Sequence, residues 1–172
     1  KTYYKPFSHG KEIRVIPNGI DRNDFMPKEL NVKYINEIKN NYNLWNRKTI
    51  LFTGRVGKEK NIDSLLLSMK KLLFKRDDIV FLIVGDGPHR QKLEAIVHKH
   101  GLKNRVIITG YVSWEAIYYH YKSADLFVTA SQTENNSVSA IEALFSGLPL
   151  IVLKDRSFDN LVIQGRNGYQ CG

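Results

Sequence analysis

The sequence predicts a doubly wound α/β domain, a parallel sheet with helices on both faces. Three observations point there. Short, uninterrupted apolar runs recur at 49–53, 79–84, 106–109, 125–130 and 148–153. Between them, apolar residues are spaced by three and four, the pattern of amphipathic helices. The loops richest in glycine and charge, at 54–60, 85–88, 110–112 and 131–137, each follow a strand. Strands apolar on both faces are buried on both faces, which calls for parallel pairing with crossover helices. In such sheets ligands bind beyond the carboxyl ends of the strands.

Each element has its own signal. Residues 13–16 form a short apolar strand, closed by the turn Pro17-Asn18-Gly19, in which Pro fixes φ and Asn and Gly tolerate positive φ. Residues 22–48 are polar and carry Pro27, with Leu30, Tyr34, Ile35 and Ile38 at helical spacing. After the strand 49–53, Ile62, Leu65, Leu66, Met69, Leu72 and Leu73 mark the inner face of a helix with Asn61 as N-cap. The apolar run 79–84 ends in Gly85-Asp86-Gly87-Pro88, a tight turn that puts Pro88 at the first helical position. The helix 89–100 turns Leu93, Ile96 and Val97 inward and stops at Gly101. A strand at 106–109 precedes a tyrosine-rich helix at 113–122, and 125–130 is the next strand. Val138, Ile141, Leu144 and Phe145 define a helix ended by Gly147, and the strand 148–153 closes the series.

Size and composition narrow the function classes. A chain of 172 residues, 42% hydrophobic, can bury one real core. No run nears the roughly 20 apolar residues of a membrane-spanning helix, and the start shows no apolar signal core. The single cysteine, Cys171, has no internal partner, which fits a reducing, cytoplasmic setting. The net charge of +9 attracts phosphorylated ligands, anionic lipid and nucleic acid alike. No nucleic-acid recognition motif or aromatic-basic interleaving is present, so nucleic acid is not an expected partner. Basic residues cluster at Lys58 and Lys60, and at Lys70, Lys71, Lys75 and Arg76. A solvated helix face explains them, and a face turned to a membrane is the sharper alternative.

Two stretches carry chemistry. Gly54-Arg55-Val56-Gly57-Lys58-Glu59-Lys60 follows a strand. Its glycines let the backbone approach a ligand, and Arg55 and Lys60 can neutralise a diphosphate. It lacks the Gly-Lys-Ser/Thr ending of a P-loop, and no Gly-x-Gly-x-x-Gly fingerprint occurs. The second stretch runs from Glu134 to Glu142, two carboxylates eight residues apart. Residues 135–139, including Ser137 and Val138, are expected to form a first helical turn whose unpaired N–H groups suit an anion. Glu134 would stand at the mouth of the cleft. Glu142 would lie two turns in, partly buried beside Ile141 and Phe145. A buried carboxylate needs donors, and ribose hydroxyls would serve, as would a nearby lysine. The five histidines form no metal pattern, and Tyr118, Tyr119 and Tyr121 are expected to pack.

Taken in order, five motifs resemble one family. They are Val15-Ile16-Pro17-Asn18-Gly19-Ile20-Asp21 with Phe25 and Pro27; Gly54-Arg55 to Lys60; Val84-Gly85-Asp86-Gly87-Pro88; Gly110-Tyr111-Val112; and Thr133-Glu134 to Glu142-Ala143. From residue 13 to residue 172 the chain resembles the C-terminal half of the family 4 retaining glycosyltransferases. That resemblance implies a Rossmann-like domain, one half of a GT-B fold, which binds a nucleoside diphosphate sugar. Residues 1–43 would then be the interdomain linker and entry segment, and 44–172 the donor domain. The N-terminal acceptor domain and the C-terminal crossing helix would lie outside this chain. The resemblance implies that Arg55 and Lys60 hold the donor diphosphate, with Gly54 beside them. It implies that Glu142 binds ribose, that Glu134 contacts the transferred sugar, and that the Val112 backbone faces the base. Ser137 and Val138 belong to the same donor-binding stretch. Asn135-Asn136-Ser137 stands where the family usually has Gly-Phe-Gly, which bears on sugar choice. No metal or other cofactor is implied. Expected activity is transfer from a nucleoside diphosphate sugar, with UDP favoured, to a lipid or polysaccharide acceptor, at the inner face of a membrane. A nucleotide-binding module without transferase activity is the alternative; Glu134 argues against it, because a nucleotide site needs no sugar-facing acid.

Overall fold

The computed structural model describes residues 18–132, 134 and 137–172. The expected strand at 13–16 and Pro17 lie outside the described residues, as do Asn135 and Asn136. Among the described residues six parallel strands form one sheet: β1 (Lys48–Thr53), β2 (Ile79–Val84), β3 (Val106–Ile108), β4 (Leu126–Thr129), β5 (Leu150–Leu153) and β6 (Gly168–Cys171). Their spatial order is β3-β2-β1-β4-β5-β6. Between them run α3 (Ile62–Lys75), α4 (Arg90–Lys99), α5 (Trp114–Lys122) and α6 (Val138–Phe145), preceded by the single turn α1 (Arg22–Phe25) and by α2 (Val32–Asn41).

Alternation along the strands sorts the core onto two faces. Ile50 and Phe52 of β1, with Ile79, Phe81 and Ile83 of β2, meet α3 and α4 through Leu66, Leu73, Leu93 and Val97. Leu51, with Val80, Leu82 and Val84, faces the other way, onto Tyr118, Tyr121, Ala140 and Ala143 of α5 and α6. All these strand residues are buried, as their unbroken apolar runs require. Between β1 and β4, Asp125 acts as a staple. It accepts from the Thr49 N–H at 2.8 Å and from Lys48 at 3.1 Å.

Several elements differ from expectation. Residues ahead of β1 also pack on the core. Phe25 inserts edge-on between Tyr118 and Tyr121, with centroids at 5.4 and 5.9 Å. Burial of such a ring contributes roughly 1.5–3 kcal/mol. Of the expected stripe in this region Ile38 is buried and Ile35 half-buried, while Leu30 and Tyr34 are exposed. Asn61 stands at the N-cap of α3 but makes no side-chain cap; it is there because it tolerates φ 52°. Helix α4 begins at Arg90, so Pro88 precedes the N-cap instead of opening the helix. Helix α6 begins at Val138, later than the expected first turn at 135–139. Val138 and Phe145 are exposed, not inward, because small Ala140 and Ala143 make the close approach to the sheet. Strand β6 was not expected.

Candidate active site

The strand order reverses between β1 and β4, and in such sheets a crevice opens there beyond the strand ends. A cleft of about 450 Å³ occupies this position. Gly54, Arg55, Val112, Val138 and Glu142 all line it, drawn from the loops after β1 and β3 and from α6.

Glycines bring the loops after β1 and β2 together. Gly54 donates to the Val84 carbonyl at 3.0 Å, and Val56 donates to the Asp86 carbonyl at 2.9 Å. A Cβ on Gly85 would lie 1.9 Å from the Gly54 carbonyl oxygen, and one on Gly87 would lie 2.4 Å from that of Val56. Gly85 also has φ +145°, open to glycine alone in practice. The Gly-Asp-Gly turn is therefore structural, and what it supports is the loop that presents Arg55. The Arg55 side chain stands exposed at the cleft, with no ion-pair partner among the described residues.

Lys60 and Glu134 lie outside the lining of this cleft and meet each other. Their ion pair closes at 2.5 Å, with side chains 24% and 15% exposed. Sequence reasoning placed both near the ligand but did not predict this contact, which spans 74 residues. Ser137 is buried as the N-cap of α6, its Oγ accepting from the Ala140 N–H at 3.4 Å. Val138 and Ser139, next in the helix, face the cleft.

Glu142 is buried, only 6% exposed. No lysine or arginine reaches it among the described residues. The Tyr121 hydroxyl donates to its Oε2 at 2.7 Å. Tyr121 is fully buried, and its hydroxyl also contacts Thr53 Oγ1 at the end of β1. A phenol has one proton. With that proton on Glu142, Thr53 must donate to Tyr121. Burial raises the Glu142 pKa above the usual carboxylate range, and the Tyr121 hydrogen bond offsets part of the rise. Burial first, and then Glu142, hold the Tyr121 pKa well above 10.

Sequence reasoning missed Tyr121, Thr53, Tyr111 and Trp114. The signal for Tyr121 was general: a buried tyrosine hydroxyl needs a partner. Spacing does not say which partner. Tyr111, 81% exposed, and Trp114 form an aromatic wall of the cleft beside Val112. Among the described residues no three His, Cys, Asp or Glu side chains gather to hold a metal ion. His89, given no role from sequence, lies 2.9 Å from both oxygens of Asp63, which also pairs with Lys92. The cleft itself offers a cation in Arg55, a buried acceptor in Glu142 and the aromatic surface of Tyr111 and Trp114 to one ligand, which suits a nucleoside diphosphate.

Comparison with known proteins shows the family. A family model described as glycosyl transferases group 1 matches residues 35–172. An alpha-monoglucosyldiacylglycerol synthase of Streptococcus pneumoniae is 30% identical over 152 residues, 88% of this chain and 34% of the relative. One from Acholeplasma laidlawii is 29% identical over 161 residues, 93% of this chain and 40% of the relative. The chain thus spans between a third and two fifths of these relatives. Among solved structures, a pneumococcal O-GlcNAc transferase, GtfA, in complex with UDP and GlcNAc superposes with TM-score 0.67 at 26% identity, covering 73% of this chain and 25% of that one. HepE of Anabaena superposes with TM-score 0.78 at 21% identity, covering 92% and 43%; at that identity the likeness shows the fold. Among the described residues no helix is long and apolar enough to cross a membrane.

Proposed function

This chain belongs to the glycosyl transferases group 1 family, and we propose that it is the donor-binding domain of a retaining glycosyltransferase that uses a UDP-sugar. One observation carries the reading: exposed Arg55 and buried Glu142 face a single cleft at the reversal point of a parallel sheet. Arg55, joined by Lys60, takes the donor diphosphate, helped by the α6 N-terminus at Val138 and Ser139. As the anomeric bond breaks, the same cations stabilise charge developing on the departing diphosphate. Glu142 accepts from the ribose hydroxyls. The base lies by the Val112 backbone, against Tyr111 and Trp114. Glu134 contacts the transferred sugar, and Lys60 exchanges Glu134 for phosphate when the donor arrives. UDP is favoured because GtfA, 26% identical, is a UDP complex.

The acceptor is a lipid or polysaccharide, bound mainly by a separate domain of a longer protein. Residues 1–43 serve as the linker to it and residues 44–172 as the donor domain. A lipid acceptor is supported by the two relatives named as glucosyldiacylglycerol synthases. It is also supported by α3, whose outer face carries Leu67, Lys71, Phe74 and Lys75, all exposed. A cationic face with apolar anchors suits the anionic inner surface of a membrane, which supports a cytoplasmic domain peripheral to it.

Calorimetry on this chain tests the donor site. UDP binding is expected, weakened by Glu142→Ala for UDP and UDP-sugar alike. Glu134→Ala is expected to weaken UDP-sugar while sparing UDP. No binding of UDP or GDP at millimolar ligand would overturn the reading. Equal UDP and UDP-sugar affinities, unmoved by Glu134→Ala, would favour a nucleotide-binding module instead.

A further inference from the structure

We propose that Tyr121, itself oriented by Thr53, is the positioning residue that aims the Glu142 carboxylate into the cleft and thereby sets discrimination for ribose-bearing nucleotides. This rests on the donor-site reading above and goes beyond it. Three elements meet at this point: Thr53 ends β1, Tyr121 lies in α5, and Glu142 lies in the second turn of α6. Glu142 has two carboxylate oxygens. Tyr121 occupies Oε2 at 2.7 Å, which leaves Oε1 for a ligand in the cleft that Glu142 lines.

A carboxylate buried this deeply, without a donor, would rotate to find one or take up a proton. Either change spoils an acceptor for ribose hydroxyls. The Tyr121 ring cannot swing aside, because Phe25 and Phe127 pack on it with centroids at 5.9 and 6.2 Å. Its proton has another acceptor in reach, the Ser139 carbonyl at 3.2 Å. The contact with Thr53 holds the phenol oxygen in place, and either oxygen can donate across it. With Thr53 donating into the phenol oxygen, the phenol proton is left for the shorter and charge-assisted bond to Glu142. Burial keeps that phenol protonated across the working pH range. Tyr121 itself does not line the cleft, so it acts through Glu142.

The test compares UDP with 2′,3′-dideoxy-UDP by calorimetry on this chain, as parent, Tyr121→Phe and Thr53→Val. The parent is expected to favour UDP by about tenfold or more, the size of a charged hydrogen bond. Tyr121→Phe is expected to erase most of that preference while leaving the dideoxy affinity unchanged. Thr53→Val, of matching shape, is expected to give a partial loss and stands in if Tyr121→Phe does not fold. A preference that survives the variants overturns the proposal and leaves the donor site standing. Equal weakening of both ligands marks a merely structural tyrosine and also overturns it. A parent that binds neither ligand removes the donor reading, and this inference with it. A parent that binds both equally refutes the ribose role of Glu142, with Arg55→Ala still reporting on the diphosphate.

Discussion

Lys60 and Glu134 are bound to each other before any ligand arrives, whereas Arg55 stands open at the cleft. The two cations should therefore behave differently. Arg55→Ala is expected to weaken UDP by roughly 1.5–3 kcal/mol, a full charge-assisted contact. Lys60→Ala should weaken it less, because Lys60 would have to give up Glu134 to bind phosphate. Glu134→Ala should leave UDP binding unchanged or tighter. Calorimetry of the three variants checks the order, and Lys60→Ala exceeding Arg55→Ala would refute it. Glu142 yields a prediction of another kind. Its folded pKa is raised by burial, so its stabilising contribution is complete below the unfolded value near 4.3 and is lost as pH rises through the folded value. Glu142→Gln is then expected to raise Tm at pH 7–8 and to change it little at pH 4, read by thermal denaturation. The burial of Glu142 was legible from its helical phase beside Ile141. Its donor was not, because a contact between α5 and α6 leaves no trace in spacing. The same holds for Lys60 with Glu134, which meet only through tertiary structure.

At the scale of elements, the strands from β1 to β5 were legible because burial on both faces forces unbroken apolar runs. Strand β6 has no such run. Gly168, Tyr169, Gln170 and Cys171 are mostly not buried, and the strand is defined by its pairing with β5. Helix starts were read early at α4 and α6, since the pattern of apolar residues outlasts the hydrogen bonding that defines a helix. The Gly85 turn gives a sharp prediction. Gly85→Ala must displace a backbone oxygen at 1.9 Å in a conformation that alanine avoids. A loss above about 3 kcal/mol is expected, measured by urea denaturation. Gly101, whose added Cβ meets nothing within 4 Å, should lose less on substitution by alanine, only the backbone cost of its φ of +66°. For α3, Lys71→Glu with Lys75→Glu is expected to abolish co-sedimentation with anionic vesicles and to leave UDP affinity intact. Unchanged sedimentation would return those lysines to an ordinary solvated face.

At the scale of the whole molecule, the cleft has loops from one domain around it, and the acceptor is proposed to be held elsewhere. This chain by itself is therefore expected to transfer no sugar. Holding both substrates in reacting geometry contributes roughly 7–11 kcal/mol, and an open cleft admits water. A radiolabelled UDP-sugar assay with lipid and saccharide acceptors checks this, and sustained turnover by this chain alone would refute it. The sheet order carries one more consequence, for the timing of folding. Strand β1 can pair with β2 early, through a single helical crossover. The join to β4 must wait for a contact 76 residues away, the Thr49 N–H on Asp125, and loop closure of that span is slow. Because the reversal point is the proposed site, the pocket is expected to be complete only once β1 and β4 have joined. UDP would then recognise the completed molecule and no earlier one. At a hundredfold excess over Kd it should add about 2.7 kcal/mol of stability. In stopped-flow traces the gain should come from slower unfolding, with the refolding rate left as it was.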